Sequence, residues 1–322
     1  MIIQRGSVSL LQLILMICLQ CILVGCDGNN CASLKPGTYS CETAVDGISR
    51  QYILHVPESY HGDQAVPLVL DFHGFAAGNI SQLIFSGLLT KSDEHNFIIA
   101  WPQGQGTPPL FNGEFCCDWN GTGGDDLGFV RQLVEEIKQA GKINDKRIYA
   151  SGLSNGAALS HYLGCAAADI FAAVAPVSFL MGEGYACQPS EPISIINFVT
   201  PTDSLVPNGG GYFGFPTAME STVDILKEYS PNEFWPRSAS MQRSYRSWAD
   251  ANECSRKQKI MFHQGDNYCK KLTDCAGNAE VALCEINATG QPLGGHVLYF
   301  NNDKIDLAEI IWEFFEAHPK SS

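Results

Sequence analysis

Three polar residues, Ser154, Asp203 and His296, have the types and chain positions that acyl-transfer chemistry needs. Ser154 is the centre of the pentapeptide GLSNG at 152–156, which follows an apolar strand-like run at 147–150 and opens onto a small-residue helical stretch. A serine on such a strand-to-helix turn is a nucleophile elbow, and its glycines allow the neighbouring backbones to approach closely. The pattern predicts that the Ser154 hydroxyl projects into a cleft and attacks a carbonyl carbon.

A serine hydroxyl is hardly ionised at neutral pH, so it needs a base, and the base needs an orienting carboxylate. Asp203 comes just after the buried-strand run at 193–199, and His296 follows two glycines before the last helix. Considered separately, Asp203 could simply form a turn, and His296 could be an ordinary histidine in a surface loop. The order Ser, Asp, His favours a triad, in which activity falls on the acid side as His296 becomes protonated.

An oxyanion hole requires two backbone N–H groups near the nucleophile. We expect one from Asn155, directly after Ser154, and one from Phe75, which follows the apolar run LVLDF and His73-Gly74. His73 lies upstream of Ser154, which is the wrong chain position for the base, so we assign it a structural role in that loop.

The elements that must position these residues alternate between short apolar runs and helix-like stretches. Strands are predicted at 51–56, 66–72, 97–101, 147–150, 171–177 and 193–199, and helices at 82–95, 127–140, 155–166 and 305–317. Asp125 or Asp126 is expected to cap the second helix, and Asp303 with Asp306 to form a capping box for the last. The alternation predicts a single α/β domain over residues 27–322, with a mostly parallel central sheet flanked by helices on both faces.

The first 26 residues have the pattern of a signal peptide, with Arg5 before an apolar stretch at 7–24. Cleavage near Cys26 and, in a bacterium, lipidation of Cys26 are both open, and either places the mature chain outside the cytoplasm. We expect no stable membrane span, and an extracellular protein.

Ten cysteines remain after residue 26, an even number that indicates up to five disulfides in an exported chain. Local pairs such as Cys31 with Cys41 and Cys165 with Cys187 are plausible, although the sequence does not determine the pairing. No zinc-type cysteine or histidine spacing occurs there, so we expect no metal and no cofactor. The net charge of −14 disfavours nucleic acid as a partner. Asn-x-Ser/Thr sequons occur at Asn79, Asn120 and Asn287.

From about residue 37 to the last helix, the sequence resembles a family of secreted α/β-hydrolases. The motifs are PGTY at 36–39, DGISRQY at 46–52, His73-Gly74, WPQG at 101–104, DDLGF at 125–129, GLSNG at 152–156, FAAVAPVS at 171–178, Thr202-Asp203, 248–254 and Gly295-His296, in the family's order. This family is the first carbohydrate esterase family, with feruloyl esterases, acetylxylan esterases and polyhydroxybutyrate depolymerase-like enzymes. The resemblance implies the α/β-hydrolase fold and a triad of Ser154, Asp203 and His296.

The resemblance implies a secreted serine carboxylesterase, and we expect feruloyl or related phenolic esters of plant polysaccharide as substrates. Val297-Leu298 replaces the Thr-Trp-Pro that is common after the family's histidine, which leaves acetyl esters and polyhydroxyalkanoate oligomers open. Trp119, Phe213 and Trp235 are candidate cleft walls. The rivals are a non-catalytic extracellular binding protein on the same scaffold and, less favoured, a peptidase.

Overall fold

The computed structural model describes residues 31–117, 124–212 and 237–320. The expected signal peptide, Asn120 and the three candidate cleft-wall aromatics, Trp119, Phe213 and Trp235, lie outside these ranges. In chain order the elements are β1 (Gly37–Val45), β2 (Ile48–Val56), β3 (Val66–Phe72), α1 (Asn79–Phe85), α2 (Leu88–His95), β4 (Ile98–Pro102), α3 (Asp126–Ala140), β5 (Ile143–Leu153), α4 (Asn155–Ala166), β6 (Ala173–Val177), β7 (Ser194–Val199), β8 (Gly211–Tyr212), β9 (Arg237–Ser238), α5 (Met241–Ala251), β10 (Gln258–Gln264), β11 (Asn267–Leu272), β12 (Val281–Glu285) and α6 (Leu307–Ala317).

The described strands form a main sheet of ten strands in the order β1-β2-β4-β3-β5-β6-β7-β12-β11-β10. The six strands from β4 to β12 in this order run parallel, and antiparallel strands extend both edges. This arrangement confirms the predicted mostly parallel sheet. Since the carboxyl ends of parallel strands share one edge, the loops after β3, β5 and β7 meet there.

Helices cover both faces of the sheet, because the central strands are apolar on each side. On one face, α3, α4 and α5 pack through Leu133, Leu159 and Trp248, and on the other, α2 and α6 pack through Leu88 and Trp312. In β3 every residue is buried. The sequence reads as a continuous apolar run for this reason, and its side chains alternate between the two cores.

Most predicted elements are found, with changes at their ends. The strand at 66–72 and the helix at 155–166 match β3 and α4, and β5 is longer than predicted. The single helix predicted at 82–95 is wrong: α1 and α2 are separate helices, because Gly87 adopts φ 75° between them. The last helix begins at Leu307 rather than residue 305.

The helix caps were only partly predicted. The Asp125 carboxylate accepts a hydrogen bond from Gly128 N–H at 2.7 Å and caps α3. Asp126 is instead buried in an ion pair with Arg50. The expected capping box is wrong, because Asp306 is itself the N-cap of α6 while Asp303 accepts a hydrogen bond from the Asn267 side chain.

Five disulfides join the ten cysteines of the described residues. Both local pairs considered from the sequence are formed. The pairs are Cys31–Cys41, Cys116–Cys117, Cys165–Cys187, Cys254–Cys275 and Cys269–Cys284. Within the part of the chain that the structure describes, no helix has the length and apolar character of a membrane span.

Candidate active site

Ser154 lies on a tight turn between β5 and α4, as predicted. Its backbone has φ 55° and ψ −116°, a conformation that non-glycine residues rarely adopt and that costs about 1–3 kcal/mol. A Cβ added to Gly152 would come within 2.6 Å of the Gly156 backbone, and one added to Gly156 would overlap the Phe72 carbonyl oxygen. The glycines therefore allow β3, β5 and α4 to converge beneath the half-buried serine.

His296 and Asp203 form a buried hydrogen-bonded pair, with 2.8 Å between His296 Nδ1 and Asp203 Oδ2. Their side chains are 5% and 3% exposed. The other carboxylate oxygen accepts hydrogen bonds from the N–H groups of Leu205 and Val206, at 2.8 and 2.9 Å. Both carboxylate oxygens therefore have donors, and the carboxylate holds the histidine with its proton on Nδ1.

The loops that carry these two residues are tied together, although 93 positions separate them. Thr202 Oγ1 donates to the Gly294 carbonyl at 2.7 Å, and Ser204 N–H donates to the Leu293 carbonyl. Gly294 has φ 66°, and a Cβ there would overlap the Thr202 carbonyl oxygen. The glycine before the histidine loop thus permits the contact that brings His296 to Asp203.

Ser154 and His296 line one cavity of about 380 Å³. His296 Nε2 is buried and forms no hydrogen bond with any described residue. The remaining wall is mainly apolar: Phe75, Ala77, Phe85, Cys117, Leu153, Phe179, Leu205, Val206, Leu293 and Val297. The cavity can therefore hold an apolar group beside a serine and a histidine nitrogen that is available to accept a proton.

Phe75 and Asn155, the predicted oxyanion pair, also line this cavity. A Cβ on Gly74 would be 3.4 Å from Ser154 Cβ, so the Phe75 loop passes directly beside the serine. The Asn155 side chain, which the sequence did not single out, accepts from Phe111 N–H at 2.7 Å and donates to the Phe111 carbonyl at 2.8 Å. This two-point contact holds the first turn of α4.

His73 has the structural role that its chain position predicted. Its ring donates from Nδ1 to the Gly74 carbonyl at 2.7 Å and accepts at Nε2 from Gly104 N–H at 2.9 Å. Burial lowers the pKa of His73 to about 4, so the imidazole is neutral near pH 7. A neutral ring with this tautomer connects the loop after β3 to the loop after β4.

Asp71, near the end of β3, is a fully buried carboxyl group close behind the cavity wall. It accepts hydrogen bonds from Gln82 Nε2 at 2.9 Å and Trp101 Nε1 at 3.1 Å. Burial raises the pKa of Asp71 to about 7, and these donors only partly offset the effect. Because Gln82 lines the cavity and also donates to the Tyr299 hydroxyl at 3.1 Å, Asp71 supports that wall.

Three other histidines, His161, His263 and His318, do not line the cavity. His161 is buried in α4, where its Nδ1 accepts from Trp248 Nε1 at 3.0 Å, and burial lowers its pKa to about 3. His318 pairs with Glu280 near the end of the described chain. His263 lies on β10, at the edge of the sheet.

Among the described residues, one group of side chains has ligand atoms close enough together to hold a metal ion, namely Glu94, His95 and Glu309. The ammonium group of Lys91 lies 2.9 Å from Glu94 Oε2 and 2.7 Å from Glu309 Oε2. The carboxylates are thus already neutralised by a lysine, and the group forms a surface ion-pair network.

The structure brings together all five residues predicted for the site, and it adds three that the sequence did not indicate: Gln82, Cys117 and Asp71. Cys117 was counted only as a disulfide cysteine, and Gln82 was counted only as a residue of a helix. The sequence signal for Asp71 was a carboxylate inside an otherwise apolar strand run, LVLDF. A charged residue at a position that alternation predicts to be buried indicates a specific partner.

The fold and the strand-turn-helix at Ser154 define an α/β-hydrolase. The chain is 15% identical to the native form of a protein designated sOPH, whose solved structure it matches over 93% of this chain and 92% of that one with a TM-score of 0.55. At this level of identity the likeness concerns the fold.

No family model matches the sequence. The chain is 30% identical over 252 residues to feruloyl esterase B of Piromyces equi, covering 76% of this chain and 43% of the relative. It is 29% identical over 146 residues to poly(3-hydroxyalkanoate) depolymerase C of Paucimonas lemoignei, covering 44% of this chain and 33% of the relative. The chain thus spans less than half the length of either relative. In sequence, it is a relative of this group of esterases, which confirms the resemblance carried by its motifs.

Proposed function

We propose that this protein is a secreted serine carboxylesterase that hydrolyses carboxylic esters through an acyl-enzyme, with Ser154, Asp203 and His296 as its catalytic triad. The observation that carries this proposal is the buried pair of His296 and Asp203: His296 Nε2 has no hydrogen-bond partner among the described residues, and His296 and Ser154 line the same cavity. A serine, a base with one open nitrogen and an oriented carboxylate are the groups that acyl transfer requires.

In the first step, Ser154 Oγ forms a bond to the ester carbonyl carbon while its proton passes to His296 Nε2. Negative charge collects on the carbonyl oxygen, where the N–H groups of Phe75 and Asn155 stabilise it. The tetrahedral intermediate collapses, and His296 gives the proton to the leaving alkoxide, which departs as the alcohol. Water then attacks the acyl-enzyme by the same sequence of proton transfers, and Ser154 regains its proton.

We propose phenolic esters of plant cell-wall polysaccharide, such as feruloyl esters, as the substrates. The apolar wall of the cavity, including Phe179 and Val206, suits an aromatic acyl group. The similarity to a relative named feruloyl esterase B supports an aromatic acyl group rather than a small one such as acetyl. Acetyl esters of xylan are the smaller alternative.

Secretion is supported by the covalent structure. Five disulfides join all ten cysteines of the described residues, and such bonds persist in oxidising compartments. The protein is therefore proposed to act outside the cytoplasm, with the first 26 residues as its signal peptide.

A second candidate substrate is a hydroxyalkanoate oligomer. Exposed apolar side chains surround the mouth of the cavity on α1 and on the turns near His296, with Phe85 42%, Leu293 40% and Phe300 50% exposed. Phe85 packs edge-on against Phe300 at 5.2 Å. An apolar rim of this kind suits an apolar chain that extends beyond the cavity.

Hydrolysis of p-nitrophenyl acetate and methyl ferulate by wild type, Ser154→Ala and Ser247→Ala tests the proposal. Ser247 lies on the exposed side of α5, so its variant is the matched control. We expect Ser154→Ala to lose more than a thousandfold in kcat with both esters and the control to match wild type. Equal rates above spontaneous hydrolysis in wild type and Ser154→Ala would reject Ser154 as the nucleophile, and rates equal to spontaneous hydrolysis in both would favour a non-catalytic binding protein.

Comparison of methyl ferulate, acetylated xylan and hydroxybutyrate oligomers separates the substrate candidates. We expect the largest kcat/KM with methyl ferulate. A larger value with hydroxybutyrate oligomers would assign the apolar rim to substrate binding and replace the phenolic ester in the proposal.

A further inference from the structure

We infer that the disulfide between Cys116 and Cys117 is a specificity-determining wall of the Ser154 cavity, where it favours a planar aromatic ring in the acyl group. The inference rests on the proposed function and deepens it. It adds a residue pair that selects between acyl groups of equal length, rather than a group that takes part in the chemistry.

The disulfide lies at the site rather than in a remote part of the structure. Cys117 lines the same cavity as Ser154 and His296. Cys116 and Cys117 are only 2% and 6% exposed, so the sulfur atoms are enclosed by protein and by the cavity. A bond between sequence neighbours adds little to the connection of distant segments, since the loop that it closes is minimal. Its effect is local, because it fixes the two side chains relative to each other.

The segment before the disulfide is anchored to the catalytic elements. Phe111 is held at both backbone groups by the Asn155 side chain, and Asn112 N–H donates to the buried Asp126 carboxylate at 2.6 Å. A Cβ on Gly113 would come within 3.0 Å of the α4 backbone at Ala158, so the segment passes directly over α4. The position of the sulfur wall is therefore set by the helix that carries the nucleophile.

Aromatic packing supports the same wall from the other side. Phe115 packs against Tyr185 at 4.8 Å and against Phe179 at 6.4 Å between ring centroids. Phe179 itself lines the cavity. Cys117 and Phe179 therefore line the same space, and Phe115, two residues before Cys117, packs against the Phe179 ring.

Divalent sulfur is polarizable and contacts aromatic rings favourably, often at the ring edge. A saturated ring of similar size lacks this interaction and is thicker than a planar ring. The fixed sulfur of Cys117 should therefore discriminate between a phenyl and a cyclohexyl group at the same position. The measured size of sulfur–aromatic contacts corresponds to a factor of about two to ten.

The test compares methyl 3-phenylpropionate with methyl 3-cyclohexylpropionate, which differ only in the saturation of the ring. We measure kcat/KM for both esters with wild type, with the double variant Cys116→Ala/Cys117→Ala, and with Cys31→Ala/Cys41→Ala. The last variant is the matched control, because it removes a disulfide at the edge strand β1 and outside the cavity.

We expect wild type and the control to prefer the phenyl ester by about twofold to tenfold, and the Cys116→Ala/Cys117→Ala protein to show a ratio near one. An unchanged ratio in that variant overturns the inference. Thermal unfolding shows whether the variant is folded. If it is not, the test rests on the wild-type protein, in which equal kcat/KM values for the phenyl and cyclohexyl esters also overturn the inference.

The dissociation constants of 3-phenylpropionate and 3-cyclohexylpropionate, measured by calorimetry on the same proteins, separate this inference from the proposed function. A wild type that hydrolyses neither ester rejects the esterase proposal. In that case the inference stands only if 3-phenylpropionate binds more tightly than its saturated analogue and the preference disappears in Cys116→Ala/Cys117→Ala.

Discussion

At the scale of single residues, the pair of Asp203 and His296 has all but one of its side-chain hydrogen-bonding atoms engaged with described residues. Asp203 accepts three hydrogen bonds, and His296 uses Nδ1 for one of them. Only Nε2 of this pair is without a partner among the described residues. This favours Nε2 as the atom that takes the Ser154 proton in the proposed mechanism, since Nδ1 is bonded to Asp203 and His296 lines the same cavity as Ser154.

Replacement of Asp203 by Asn should leave the protein folded and lower kcat by about 10⁴, as loss of the orienting carboxylate does in other serine triads. The amide no longer holds the histidine with its proton on Nδ1, so Nε2 loses its role as acceptor. Steady-state hydrolysis of p-nitrophenyl acetate measures the effect. Asp266→Asn, in an exposed hairpin turn, is the control, and a wild-type kcat in Asp203→Asn would remove Asp203 from the mechanism.

Replacement of Asn155 by Ala should destabilise the protein by about 1–3 kcal/mol, because both buried backbone groups of Phe111 lose their partner. The backbone N–H proposed for the oxyanion hole remains, but its helix turn is less fixed, so kcat should also fall. Thermal unfolding and kcat are measured on the same samples. A variant with unchanged stability would show that Phe111 finds other partners.

At the scale of elements, the close approach of α4 to β3 determines where Ser154 lies. Gly156→Ala should prevent soluble expression or lower the melting temperature sharply, because its Cβ would overlap the Phe72 carbonyl oxygen. Gly209→Ala is the matched control, since a Cβ there meets no atom within 4 Å. Equal stability of the two variants would contradict the packing at the elbow.

Sequence patterns predict buried elements better than exposed ones. The runs that became β3 and β7 are mostly apolar because they are buried on both faces. The antiparallel hairpin of β10 and β11 was not predicted, because β10 is largely exposed and carries no continuous apolar run. The single helix predicted at 82–95 failed at Gly87, whose left-handed backbone was not considered.

The sequence predicted the residues of the candidate triad, which depend on motifs and chain order. It did not predict the cavity wall, which is formed by several segments that meet only in the folded chain. Ser154, Asp203 and His296 were predicted from the GLSNG motif, from their positions after a strand or before a helix, and from their order in the chain. The cavity wall combines α1, the segment before residue 118 and the turns around residues 205 and 293. No local pattern links Cys117 with Phe179, because they are 62 positions apart and meet only where the folded chain encloses the cavity.

At the scale of the whole molecule, three buried titratable groups make folding stability depend on pH. Burial lowers the pKa of His73 to about 4 and of His161 to about 3, whereas an unfolded histidine titrates near 6.5. Between pH 6.5 and 4 the unfolded chain therefore binds more protons at these two positions, and stability is lost as the pH falls. We expect the wild-type melting temperature to decrease from pH 6.5 to pH 4.5, as measured by scanning calorimetry, because two histidines act in this direction and only Asp71 acts against them. A flat profile in Asp71→Asn, where the opposing group is absent, would contradict the buried neutral state of both rings.

Asp71 contributes a pH dependence of folding stability that is opposite in sign to that of the two histidines. Its replacement by Asn removes this contribution and so measures it. Burial raises its pKa to about 7, against about 4 in an unfolded chain, so the folded protein binds the extra proton and stability falls as the pH rises from 4 to 7. Relative to wild type, Asp71→Asn should therefore gain stability across this range, on the order of 3 kcal/mol in total. Exchanging the carboxyl group for an amide beside Gln82 and Trp101 also changes the free energy of unfolding by an amount that does not depend on pH. This amount cancels, because only the change of the difference with pH is used.

Urea unfolding of both proteins at pH 4.5, 6 and 8 gives the difference in unfolding free energy at each pH, with Asp266→Asn as the surface control. Parallel pH profiles for wild type and Asp71→Asn would mean that Asp71 is ionised in the folded protein throughout, and that the hydrogen bonds from Gln82 and Trp101 outweigh its burial.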